Sequence, residues 1–174
     1  MESKLKKIIL PFFVLFLYAE PKFQTGDIIL RKEQNTLSNL FSQIDPCGYS
    51  HSGIIIIKNK TPYVVHIEYD TRKDLKITPL KQFLLTASSY KVLKPKFTIN
   101  RHKLTNLIYS LKNSNIKFDT ALSLNNNSFY CTEFVDYVYY RLINKHIYSY
   151  LYTFKNKKII TVRSILKSKY FKNE

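Results

Sequence analysis

The chain has 174 residues, 45% hydrophobic and 15% aromatic, with 3 glycines, 6 prolines and 2 cysteines. That length suits one domain with its own buried core, and the composition excludes disordered, fibrous and disulfide-scaffold classes. The net charge of +16 favours polyanions (nucleic acid, anionic lipid or an acidic cell-wall polymer), unless it is simply a solvated basic surface.

Lys4, Lys6 and Lys7 precede an apolar stretch from Ile8 to Ala19 that Pro11 interrupts. The stretch falls short of the about 20 apolar residues a membrane-spanning helix needs. A charged start, a short apolar middle and a small residue at Ala19 fit a secretory signal peptide over residues 1–19. The expectation is a single exported domain over residues 20–174, periplasmic or secreted, and export argues against a nucleic-acid partner.

Residues 26–31 read as a strand after a turn, and Leu37, Leu40, Phe41 and Ile44 recur at helical spacing over 36–44. Asp45-Pro46-Cys47-Gly48 breaks that pattern. Four consecutive isoleucines, Ile54 to Ile57, mark residues 51–58 as a central strand buried on both faces. A turn through Pro62 and a strand over 63–69 complete an antiparallel hairpin. Strands follow at 76–80 and 90–93, with a short helical piece at 80–85 between them. Leu104, Leu107, Ile108 and Leu111 predict an amphipathic helix over 102–112. A polar loop over 118–129 leads to a helix from Cys131 to about Asn144, with Val135, Val138 and Leu142 on one face. A segment at 159–162 and a short helix at 164–170 end the chain. Strands dominate the first half and helices the second, which is an α+β arrangement.

Cys131 stands where a helix begins, and the unpaired N–H groups there favour thiolate and can hold an oxyanion. A small buried packing residue is the competing reading. Among the 4 histidines, His102 and His146 lie in polar surroundings and are assigned to the surface. His51 and His66 lie in hydrophobic strands, and Glu68 shares the face of His66. Adjacent strands lie about 5 Å apart, so one imidazole can hold the other and fix its tautomer. The expected roles are Cys131 as nucleophile, His51 as base and then acid, and His66 as orienter. The alternative for His66 is a half-buried residue bonded to backbone. These residues and Glu68 are chemically able to ligate zinc, but no short-spaced ligand pair exists, so neither a metal nor a cofactor is expected. Serine catalysis lacks a G-x-S-x-G elbow. A disulfide between Cys47 and Cys131 is the structural rival to a reactive Cys131.

Three segments occur in a fixed order: Gly26-Asp27-Ile28-Ile29, Tyr49-Ser50-His51-Ser52-Gly53-Ile54 and Tyr130-Cys131-Thr132-Glu133-Phe134-Val135. Together they resemble the YiiX/YebB-like branch of the NlpC-type, circularly permuted papain-like cysteine hydrolases. Val64-Val65-His66-Ile67 also resembles the second-histidine strand of lecithin–retinol acyltransferase relatives. Phe118-Asp119 and Thr161-Val162-Arg163-Ser164 fit the same pattern, so the resemblance spans roughly residues 25–170. It implies a permuted papain-like fold, with an antiparallel sheet packed on helices and the nucleophile at a helix N-terminus. It also implies a thiol hydrolase or acyltransferase that forms an acyl-Cys131 intermediate on cell-wall peptides or acyl lipids. Catalytic Cys131 and His51 follow from it, with His66 as third residue and Glu68 as its substitute. Tyr130 and Tyr49 are candidates for oxyanion support. The rival function is a non-catalytic envelope-binding module that uses the same groove and a basic surface to bind an anionic envelope.

Overall fold

The computed structural model describes residues 22–33, 43–69, 74–124 and 126–173. The expected signal peptide and most of the helix expected over 36–44 lie outside these residues. Six antiparallel strands form the main sheet: β1 (Ile28–Glu33), β2 (His51–Lys58), β3 (Thr61–Ile67), β4 (Leu75–Pro79), β5 (Ala87–Pro95) and β10 (Phe171–Asn173). Their spatial order is β10-β5-β1-β2-β3-β4, so β1 and β2 lie at the centre. The α+β class expected from the sequence holds.

The β2–β3 hairpin turns at Asn59 and Lys60, both with positive φ (48° and 63°). A tight turn of this hand matches the twist of the strands it joins. Side chains alternate across β2. Ile54 and Ile56 join Ile28, Leu30, Val65 and Ile67 in the main core, whereas Ile55 packs with Ile29, Val64 and Phe83 on the opposite face. Ile57, at the strand's end, is exposed. The short helix α1 (Leu80–Phe83) covers the second face with Leu80 and Phe83.

The main core is closed by α2 (Arg101–Asn113), which buries Leu104 and Ile108, and by α3 (Cys131–Ile143), which buries Phe134, Val135 and Val138. Asn100 caps α2 by accepting the Lys103 N–H at 2.9 Å. Asn144 ends α3 in the left-handed conformation. Tyr139, fully buried on α3, donates its hydroxyl hydrogen bond to the Gly26 carbonyl.

Several small elements depart from the sequence expectations. The region expected as a polar loop contains a parallel two-stranded pairing of β6 (Lys117–Phe118) with β7 (Ser128–Phe129). A hairpin of β8 (Tyr152–Phe154) and β9 (Lys157–Ile159) turns on Lys155 and Asn156, again both at positive φ. The last helix, α4 (Val162–Leu166), starts earlier than expected because the Thr161 hydroxyl caps it, accepting the Ser164 N–H at 3.1 Å.

Gly53 marks the tightest point between β2 and β3. A Cβ there would lie 2.4 Å from Val64 Cγ1, 2.9 Å from the Val65 carbonyl oxygen and 3.2 Å from His66 Cβ. Gly53→Ala is expected to destabilise the fold by about 2–3 kcal/mol, at the upper end for an overpacked core position. A denaturant midpoint unchanged from that of the wild type would refute this account of the glycine.

Candidate active site

Cys131 is the first helical residue of α3, and backbone contacts on both sides fix its position. The Tyr130 hydroxyl accepts the Ile160 N–H at 2.8 Å, and the Thr132 hydroxyl donates to the Ile160 carbonyl at 2.6 Å. The Glu133 carboxylate accepts the Tyr130 N–H at 3.4 Å, the first-turn pattern expected of an acidic residue there. Ile160, at the exit of β9, thus fixes the chain on both sides of Cys131.

The thiol faces the start of β2. The Ser52 hydroxyl is fully buried and forms no hydrogen bond among the described residues, but it is close enough to the Cys131 sulfur to lower the thiol's pKa. Burial pushes the Cys131 thiol up from its ordinary value. The Ser52 hydroxyl, the Ser52 and Thr132 N–H groups and the cysteine's own N–H pull it back down, without overcoming burial. Desolvation thus opposes the helix N-terminus, which by itself favours thiolate. Cys47 and Cys131 are both free. Cys47 instead donates to the Tyr49 carbonyl at 3.6 Å, so the disulfide rival has no place here.

His51 neighbours Ser52 on β2 and turns to the other face of the strand. Its Nε2 lies 3.0 Å from His66 Nδ1, and His66 Nε2 lies 3.0 Å from Thr78 Oγ1 on β4. The rings meet edge-on at 85°, with the Phe83 ring packed 5.8 Å from His51 and 4.9 Å from His66. With no side chain at Gly53, which shares their face, the His51 ring reaches His66 diagonally across the hairpin. The relay thus runs through three neighbouring strands and ends on a hydroxyl.

Glu68 does not join this relay. Its carboxylate pairs with Lys76 Nζ at 3.0 Å and with Arg31 at 3.5 Å. Arg31 lies directly across the ladder from His51. The guanidinium pairs with Glu33 at 2.5 Å, donates to the Phe83 carbonyl and lies 3.9 Å over the Phe83 ring. Arg31 therefore holds the aromatic floor under both imidazoles. Burial is the main cause of depression for both histidines. Arg31 and Lys76 add to it, and His51 is further lowered by His66. His66 is brought down to about 3 and His51 lies well below its ordinary value.

Cys131, His51, Tyr49, Tyr130 and Glu68 all line one cavity of about 460 Å³. Its size is that of a small-molecule site. His66, Thr78 and Arg31 stand behind its wall. Burial raises the Tyr130 phenol, so the group stays protonated. His102 is outside the site, bonded to Asn106 on α2. His146, assigned to the surface from the sequence, is half-exposed but bonds the buried Asp136 carboxylate at 2.7 Å and stacks on Tyr140. It anchors the end of α3 rather than the site.

Residues 22–169 match the family model described as permuted papain-like amidase enzymes, YaeF/YiiX, of the C92 peptidase family. The chain belongs to that family. It is 28% identical over 127 residues to the uncharacterized protein YiiX of Escherichia coli K12, an alignment covering 71% of this chain and 61% of that protein. The chain thus matches about three-fifths of that relative's length. A crystal structure of YiiX from Escherichia coli O157:H7, described as a metalloprotein, has the same fold. Its TM-score is 0.73 at 20% identity, covering 87% of this chain and 96% of that one. Among the described residues here, no group of three or more His, Cys, Asp or Glu side chains is disposed to hold a metal ion. The donors in this site are spent on one another: His51 on His66, His66 on Thr78, and Glu68 on Lys76.

The buried neutral histidines make stability depend on pH with a definite sign. The unfolded chain takes up protons on histidine below about pH 6.5, whereas folded His66 does not until about 3. Stability is therefore greatest above 6.5 and falls as pH falls toward 3, by on the order of 1 kcal/mol per pH unit for His66, with buried His51 acting in the same direction. Chemical denaturation between pH 7.5 and 5 should show this loss, and His66→Gln should make its slope shallower. An identical slope in the variant would remove His66 as a cause.

Proposed function

We propose that the protein is a thiol hydrolase that cleaves an amide or ester bond through an acyl-Cys131 intermediate. The observation that carries this reading is the single cavity lined by both Cys131 and His51, with the His51–His66–Thr78 relay behind it. With His66 Nε2–H donating to Thr78, His66 Nδ1 accepts from His51 Nε2–H, and His51 Nδ1 remains free as a base.

In the first step Cys131 Sγ attacks the carbonyl carbon while its proton passes to His51, which borders the same cavity from the start of β2 although its ring turns to the sheet face opposite α3. The tetrahedral oxyanion is placed by N–H groups at the start of α3. Its collapse breaks the bond to the leaving amine or alcohol, which takes the proton from His51, and a thioester remains. Water then attacks the thioester, giving its proton to His51. Collapse expels the Cys131 sulfur, which regains that proton, and releases the carboxylic acid. His66 is the positioning residue: as a neutral acceptor it steadies the transient imidazolium.

Cell-wall peptides and acyl lipids are the substrate classes that this chemistry suits. The charged and apolar start of the chain supports export, and the net charge of +16 supports work at an anionic envelope surface.

The test is a single-turnover reaction with an activated acyl donor, followed by peptide mapping for a thioester. The adduct is expected on Cys131 and not on Cys47. Cys131→Ala and His51→Ala should each lose at least about 10³-fold in kcat/KM. His66→Gln should lose about 10–100-fold, as for loss of an orienting partner, and Thr78→Val less. Undiminished turnover in Cys131→Ala would end the proposal.

A further inference from the structure

A second cavity, of about 340 Å³, lies toward the other end of β1 from the histidine relay. Arg31, across the ladder from His51, is near the end of β1, whereas Asp27, which lines this cavity, comes just before its start. The two cavities share no lining residue. The wall of the second is built from the turn at residues 24–27, the β5–β10 pair, and the run from Phe97 to Arg101, the first residue of α2. The turn is fixed on that run. Gly26 has a φ of 99°, and a Cβ there would lie 2.5 Å from Ile99 Cδ1. Arg101 Nη2 also donates to Gln24 Oε1 at 2.5 Å.

The charged side chains among the described lining residues are Lys94, Lys172, Arg101 and Asp27. Three cations against one carboxylate leave an excess of two positive charges. Strand register creates this excess. Lys94 of β5 and Lys172 of β10 are paired residues, so their side chains leave the same face of the sheet at neighbouring positions. Like charges so placed repel each other. Ile28 pairs with Leu93, which brings Asp27 alongside Lys94. The Asp27 carboxylate also accepts the Gln24 N–H at 2.7 Å. Lys94 is buried, whereas Lys172 and Arg101 are exposed at the rim. A buried ammonium is costly without negative charge nearby, and one carboxylate offsets only a third of the positive charge here.

We propose that this cavity binds a phosphate monoester. The dianion matches the excess of two charges, and its three terminal oxygens can accept from Lys94, Lys172 and Arg101 together. A carboxylate, with one charge and two oxygens, matches neither. Phe97 and Ile99 offer an apolar wall to the organic part of the ester. A soluble phosphate ester and the headgroup of phosphatidic acid present the same chemical group.

The test is calorimetric titration of the full chain at about pH 8, where the monoester is a dianion, and at constant ionic strength. Glycerol 3-phosphate should bind saturably, and acetate at least about tenfold more weakly. Lys172→Gln and Arg101→Gln change exposed side chains, so the fold should survive both. Each should weaken glycerol 3-phosphate about tenfold, as for the loss of one charge-assisted hydrogen bond. Lys60→Gln, at the remote β2–β3 turn, should leave the affinity unchanged. A second arm measures flotation of the protein with phosphatidylcholine vesicles, with and without phosphatidic acid. Flotation that needs phosphatidic acid, and that falls in Lys172→Gln and Arg101→Gln but not in Lys60→Gln, upholds the site with a lipid headgroup as its ligand. Binding of the dissolved ester alone upholds it with a soluble ligand. Saturable binding in neither arm overturns the proposal. So does equal affinity for acetate, or a loss in Lys60→Gln as large as in Lys172→Gln, which is the mark of diffuse charge.

Discussion

The two-residue period of β2 is the constraint on which the site depends. His51 and Ser52 are neighbours in sequence and must point to opposite faces of the sheet. Ser52 therefore meets the helix that carries the thiol, and His51 meets the face floored by Phe83. Ile54 and Ile55 continue the same division into two cores. A one-residue slip would bury the imidazole under α3 and place a hydroxyl against Phe83. Gly53 helps to hold the register, because any larger residue collides with Val64 and with the Val65 backbone. The isoleucine run supplies the hydrophobic force, and the glycine allows the two strands to approach closely enough for the histidines to touch.

Electrostatics in the site are governed by burial more than by pairing. The thiol is raised and the imidazoles are lowered, each with desolvation as the largest cause. Both effects favour a neutral resting site over a preformed thiolate–imidazolium pair. Arg31, Lys76, Glu33 and Glu68 form a charge-balanced frame around the relay, and their ion pairs leave the histidines without a formal counter-ion. A neutral acceptor at His66 stabilises an imidazolium less than a carboxylate would. On the proposed mechanism, the transient charge is carried by the hydrogen-bond chain through Thr78 and by what the substrate brings into the cavity.

Much of this was legible in the chain. The hairpin of β2 and β3 is legible in four isoleucines, and the two histidines stand out because polar rings are uncommon in such strands. The start of α3 was visible at Cys131 from the periodicity that follows it. What could not be read falls into two kinds. Some partners are backbone groups: the Ile160 N–H and carbonyl that flank the cysteine have no residue signature at all. Others are ordinary residues made special only by register, such as Ser52, Arg31 and Thr78, which seem unremarkable until the strands are aligned. The three-residue strand β10, paired with β5, is too short to show a period. The helix start at Cys131 is local information, whereas the burial that raises its thiol is a property of the whole fold.

The bracket of Tyr130 and Thr132 on Ile160 has a consequence for how the molecule comes into being. Translation runs from the N-terminus, so the histidine strands emerge early and can pair while the ribosome is still at work. The cysteine follows much later, and the residue that fixes its helix start lies some 30 positions further on. Until that last stretch is available, the helix start lacks both of its hydrogen bonds to Ile160. The order of elements along this chain thus delays assembly of the site around Cys131 until Ile160 has been made.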